Sequence, residues 1–207
     1  LFFERRLGPK NQFEINVPND FAQAGSDWQR GLRDVGLAFK RTFYSSHVNG
    51  RIASAGLELV LPTGKEEIGL GNGYTIFEPF AMWGQVLPRN AFLQMHGGIE
   101  LPSDSSRGVK EGFVRTAFGA TVAQDRGFGR AWTPQVEVLW ARPEGGASEW
   151  DLVPQLQVTL SKLQHVMVAG GVRIPITERE ERPTQTLRWH GAGLMAHTLY
   201  EERDVNG

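Results

Sequence analysis

In residues 150–161, WDLVPQLQVTLS, an apolar side chain or proline falls on every even position: Leu152, Pro154, Leu156, Val158 and Leu160. Asp151, Gln155, Gln157, Thr159 and Ser161 fall between them, with Val153 the one apolar residue on that side. A period of two over this length is a β-strand with one apolar and one polar face. It leaves two kinds of fold, a barrel or sandwich that hides the apolar face, or one that turns it outward into lipid.

The same alternation returns along most of the chain. It predicts strands at about 1–7, 11–18, 31–44, 51–62, 75–87, 91–102, 112–124, 131–142, 149–161, 165–176 and 184–196, separated by clusters of Gly, Pro, Asn, Asp and Ser. Residues 19–30 read as a loop in which a helix is the open alternative. The connections then come in two lengths, strictly in turn. GPKN, SSHVNG, LPRN, QDRGFGR and SKLQ are tight; NDFAQAGSDWQR, GKEEIGLGNGY, SDSSRGVKEG, RPEGGASE and EREERPTQ are longer. In an up-and-down meander every second connection lies at the same end. One end therefore gathers the short turns and the other the long loops, as in an outer-membrane barrel.

Strand length agrees, because about ten tilted residues cross a hydrocarbon core. Trp132 and Trp140 lie at opposite ends of one apolar face, and Phe77 and Trp83 do the same on another, as two interfacial girdles require. The expected fold is all-β, an antiparallel up-and-down transmembrane β-barrel of about twelve strands. Eleven are read here. Parity makes the first and last of these parallel, so a twelfth is expected before Leu1, and the stub LFFERRL, with no initiator Met, fits a trimmed start. Residues 1–196 form the single barrel domain and 197–207 a charged tail. A soluble, lipocalin-like binding barrel with its apolar face inside is the weaker alternative.

Composition narrows the function. The formal net charge is −1, with 22% charged and 40% hydrophobic residues. No basic cluster recommends nucleic acid as a partner. The absence of cysteine removes disulfides, thiolate metal sites and a thiol nucleophile, and suits an envelope protein. Apolar runs are too short for a membrane-spanning helix.

On the membrane reading, Leu57, Leu59, Leu93, Ile99, Val136, Leu156, Val158 and Val172 face outward. The lumen is lined by Glu58, Glu78, His96, Glu100, Arg115, Glu137, Asp151, Gln155, Gln157, Arg173, Arg188 and His190. Glu58, Glu78 and Glu100 fall on three successive strands, with Arg173 and Arg188 on two others about half a circumference away. An acidic wall opposite a basic wall sets a transverse field. The competing expectation is that these charges pair locally, with Glu100, Arg115 and Glu137 neutralising one another across adjacent strands.

Catalysis finds little support. Ser54 and His96 share the polar face, but strand spacing separates them by roughly 9–10 Å, too far for a nucleophile and its base. The five histidines lack metal-ligand spacing, and no cofactor is expected. GLGNG at 69–73 precedes a strand rather than a helix, so it reads as a flexible surface loop and not a phosphate cradle. Pro79, Pro134 and Pro154 fall inside expected strands and need bulges to absorb a missing hydrogen bond.

Residues 54–80, SAGLELVLPTGKEEIGLGNGYTIFEPF, with FLQMHGGIELP, WTPQVEVLWA and WDLVPQLQVTLSKLQHVMVAGGVRIPIT, resemble a family of bacterial outer-membrane proteins labelled transporter-like or phenol-degradation-pathway proteins. The resemblance spans about 50–176, and its marks are LPTG at 61–64, the glycine-rich loop and EPF. It implies an envelope β-barrel that passes small or aromatic organic molecules, and it carries over no catalytic residues. The tail MAHTLYEERDVNG departs from the terminal aromatic strand usual in such barrels. The expectation is therefore a passive channel for small solutes in the bacterial outer membrane, with lipid and solutes as its partners. The competing form is a barrel sealed by interior salt bridges, its long loops serving as a platform for a surface protein.

Overall fold

The structure is a computed structural model that describes residues 1–24, 27–124, 131–159 and 167–177. The strands are β1 (Phe2–Leu7), β2 (Asn11–Asn16), β3 (Asn19–Ala24), β4 (Asp27–Leu32), β5 (Val35–Ser46), β6 (Arg51–Leu61) and β7 (Ile76–Leu87). They continue with β8 (Ala91–Pro102), β9 (Glu111–Ala120), β10 (Ala123–Gln124), β11 (Ala131–Pro143), β12 (Glu149–Thr159), β13 (Met167–Gly171) and β14 (Ile174–Pro175). One short 3₁₀ turn, Glu66–Ile68, lies between β6 and β7.

Ten strands form one antiparallel path, β1-β2-β5-β6-β7-β8-β9-β11-β12-β13. β10 prolongs β9 along β11, and β14 prolongs β13 along β12. Sequential neighbours pair throughout, with one hairpin set aside, so the fold is an all-β up-and-down meander. The expected strand 184–196, with Arg188 and His190, lies outside the described residues, as does the tail.

Residues 19–30 are neither loop nor helix. They contribute to the β3–β4 hairpin, a separate two-stranded sheet inserted between β2 and β5. The segment has no sustained alternation, because two strands outside the main sheet need not present one apolar face.

The short turns owe their tightness to residues in the left-handed region. Gly8 and Gly50 have φ of 77° and 57°. At 88–90 two non-glycine residues take this conformation, Arg89 at 62° and Asn90 at 57°. Two consecutive positive φ values give the turn whose twist matches the flanking strands.

Each awkward proline lies beside a break in its neighbour's ladder. Between β7 and β8, pairing runs from Phe77–Leu101 to Phe80–Gly98 and skips Glu78 and Pro79. Pro134 on β11 faces the shift between β9 and β10, where the register changes from Gln135–Gly119 to Trp132–Ala123. Pro154 on β12 faces the gap between β13 and β14. A missing N–H costs least where the opposite strand offers no ladder acceptor.

Candidate functional site

The distribution of polar and apolar side chains is inverted relative to a protein with an oily core. Gln157 is 8% exposed while Leu156 beside it is 39% exposed; Glu78 is 7% exposed while Phe77 is 43% exposed. Gln12, Glu14, Lys40, Ser54, Gln94, Gln135 and Asp151 are also buried, whereas Leu57, Ile99, Val136 and Val172 are exposed. A single-layer sheet can bury one face only by curling around it. The covered face here is the polar one.

Outer-face aromatics gather near the strand ends. Tyr44 stacks on Trp83 (6.3 Å, 5°) toward the short turns, and Trp140 meets its cross-strand partner Trp150 (6.4 Å) toward the long loops. Among the described residues no helix is long and apolar enough to cross a membrane, a criterion that does not address strands.

On the inner face, the cross-strand pairs assemble an acidic line. Glu4 faces Glu14, Glu14 faces Ala38, Ala38 faces Glu58, and Glu58 faces Glu78. The flanking pairs Phe77–Leu101 and Phe80–Gly98 set Glu78 opposite Glu100, which in turn faces Glu111. Six glutamates thus share one register line. Alternation alone assigns five of them, Glu4, Glu14, Glu58, Glu78 and Glu100, to the polar face. Glu111 escapes it because β9 was expected to begin one residue later.

These carboxylates have definite counter-charges. Lys40 Nζ lies 3.3 Å from Glu14 Oε1, and Gln12 Nε2 donates to the same oxygen at 2.7 Å. Arg115 is on β9, which pairs on one side with β8, the strand of Glu100, and on the other with β11, the strand of Glu137. It therefore sits between the acidic line and the next wall. Its partner across the sheet is His96, which lies edge-to-face between Phe80 (5.1 Å) and Phe113 (5.2 Å). The guanidinium also covers the Phe113 ring at 4.8 Å.

The β11–β12 wall is built differently. Gln135 Nε2 donates to Gln155 Oε1 at 3.1 Å, and Gln155 Nε2 donates to Glu137 Oε2 at 2.8 Å. Arg173 is bound to Asp151 through Nε (2.9 Å) and also Nη2. It therefore serves a local pair rather than an open basic wall facing the glutamates. Buried partners satisfied in this way keep a polar interior fixed.

Ser54 and His96 stand on one line with Met82 of β7 between them, and the Ser54 hydroxyl pairs with that of Thr42 at 3.0 Å. That arrangement is not a nucleophile and its base. Among the described residues, no three His, Asp or Glu converge as a metal site.

At the long-loop end the glycine-rich segment is held in place, contrary to the flexible loop expected from its composition. Asp34 accepts hydrogen bonds from Gly64 N (2.9 Å) and Asn72 N (2.7 Å). Thr63 Oγ1 accepts from Val35 N at 2.9 Å and donates to Arg33 O at 3.3 Å. LPTG is thus a strand end tied back onto β5. Leu70 is 1% exposed and lies against Gly31 of the hairpin, where a Cβ would come within 2.6 Å of its Cδ1. From the next loop, Arg107 pairs with Glu66, donates to Gly73 O at 3.0 Å and covers the Tyr74 ring. Hairpin and two loops form one clasped assembly.

The chain matches no protein-family model and no curated protein. Its functional reading rests on this geometry.

Proposed function

We propose that the protein is a β-barrel of the bacterial outer membrane that passes small solutes passively and favours cations over anions. One observation carries the reading: charged and amide side chains are buried on the concave face while leucines, valines and aromatics are exposed on the other. In water this arrangement exposes apolar surface at a cost and buries charge at a larger one. In a bilayer the outer face meets acyl chains and the inner face encloses water. The two groups of outer aromatics suit the interfaces. The likeness of residues 50–176 to transporter-like outer-membrane proteins points the same way, and aromatic organic molecules join the small solutes on that ground.

The preference for cations follows from the acidic line, because the cations on the inner face of β1 to β9, Arg6, Lys40 and Arg115, are fewer than its six glutamates. The second reading, a sealed barrel whose loops bind a surface protein, draws on the clasped assembly at the long-loop end. Purified full-length protein in planar bilayers decides between them. Discrete conductance steps with a cation-selective reversal potential support the channel; a correctly inserted barrel that never conducts rejects it in favour of the platform.

A further inference from the structure

Three inner-face phenylalanines do not stand away from the wall. One register line runs Gly56, Phe80, Gly98, Phe113 across β6 to β9, alternating the smallest side chain with a ring. Each ring lies over a glycine on the adjoining strand. A Cβ added to Gly56 would come within 2.4 Å of Phe39 O and 2.5 Å of Phe80 Cζ, and one on Gly98 within 2.8 Å of both Phe113 Cζ and Pro79 O. Phe92 repeats the arrangement on Gly119, at 2.5 Å. The far edge of each ring has therefore crossed the spacing between strands, about 4.8 Å, and the ring lies along the sheet. His96 fills the step between two of the rings.

Barrel size makes this consequential. With about eight strands, side chains fill the interior, whereas 16–18 leave an aqueous channel. The main sheet here has ten strands in its described path, between those limits, so the posture of bulky inner residues decides whether a passage exists.

We propose that Gly56, Gly98 and Gly119 are the residues that set the bore, as recesses that hold Phe80, Phe113 and Phe92 against the wall. This rests on the channel reading above. Filling a recess also presses on Phe39 O at Gly56, Pro79 O at Gly98 and Gln135 Cβ at Gly119, which yield by small shifts, whereas the ring, the movable neighbour, is turned off the wall into the passage. Gly98→Ala should therefore cut single-channel conductance by about twofold or more, and Phe113→Leu in the same chain should recover most of the loss. Phe113→Leu alone should leave conductance at or above that of the unaltered protein.

The experiment compares these three variants with the unaltered full-length protein in planar bilayers. In parallel, NMR of the folded protein in lipid nanodiscs reads the Hα resonances of the three glycines. A ring seated over each glycine moves them upfield, whether or not the barrel conducts. Upfield glycines, a fall in Gly98→Ala and recovery in the double variant support the proposal. Glycine resonances at ordinary positions overturn the recess itself. A folded Gly98→Ala protein of unchanged conductance, or a double variant with no recovery, overturns the bore-setting role. An unaltered protein that does not conduct removes the channel reading and the bore role with it, while upfield glycines would still establish the seated rings. If Gly98→Ala does not fold, Gly119→Ala with Phe92→Leu supplies the same comparison.

Discussion

The two inner walls meet different electrostatic requirements. From β6 to β9 the wall carries Glu58, Glu78, Glu100 and Glu111 on one line, with Arg115 and three seated rings nearby. From β11 to β12 it carries Gln135, Gln155 and Gln157, with Gln135 donating to Gln155 and Gln155 to Glu137, and one closed ion pair at Asp151. An amide offers both donor and acceptor, so Gln155 can accept from Gln135 and pass a donor on to the carboxylate of Glu137. A row of carboxylates accepts only, and must be answered by cations, by water or by a passing ion. On the channel reading proposed above, the first wall acts on the solute and the second holds shape. The loops follow the same division: those rooted above β5 to β8 are clasped through Asp34 and Arg107, whereas the 144–148 turn has the exposed Lys110–Glu144 pair at 3.8 Å.

The largest expected effect tests whether the amide-rich wall faces inward as the acidic one does. Leu156→Arg places a charge on the outer side of β12 and should cost about 2–4 kcal/mol near the midplane. Gln157→Arg, one residue on, should cost much less. Urea unfolding in lipid vesicles measures both, and equal costs would break the assignment of faces.

Next is the clasp above the charged wall. Asp34→Asn weakens the acceptor for Gly64 N and Asn72 N, bonds to a charged group that contribute about 1.5–3 kcal/mol each when intact. Limited proteolysis should then cut first within 62–75, with the strands intact. An unaltered cleavage pattern would mean that Leu70, Thr63 and Arg107 seat the loop without Asp34.

A third test sharpens the electrostatic contrast. Replacing Glu58, Glu78 and Glu100 together with Gln should move the reversal potential toward anions, while Gln155→Glu on the amide-rich wall should move it the other way. No movement in the triple variant would show that the acidic line is neutralised in place by Arg115 and its neighbours.

The smallest effect concerns an exposed loop. Ser106 donates to Asp104 from its backbone N (2.9 Å) and its hydroxyl (2.6 Å), and these bonds hold the Asp104 carboxyl below its ordinary range. A carboxyl depressed on folding adds stability above its unfolded pKa and loses it as pH falls through the folded one. The 103–110 loop should therefore keep its order down through the ordinary aspartate range and loosen only below it. Ser106→Ala should raise the Asp104 midpoint, read by NMR titration; an unmoved midpoint would leave the bond without effect.

Much of this molecule is written in its period. Alternation from 35 to 159 located the long strands, because a one-residue slip would exchange every Leu and Glu between faces. The order of short and long connections gave the meander, since neighbours in sequence become neighbours in the sheet. The inner and outer residues of β6 to β12 could be listed from parity alone, and Glu58, Glu78 and Glu100 were legible that way. The β3–β4 hairpin was not, because its short strands lie outside the main sheet. Nor were the seated rings, the continuation of the acidic line through Glu111, or the partners of Arg173 and Asp34. Parity names the face on which a residue lies but not its opposite number. That depends on register, on bulges such as the one between Thr42 and Tyr44, and on which side chains the curl of the sheet brings within a few ångströms.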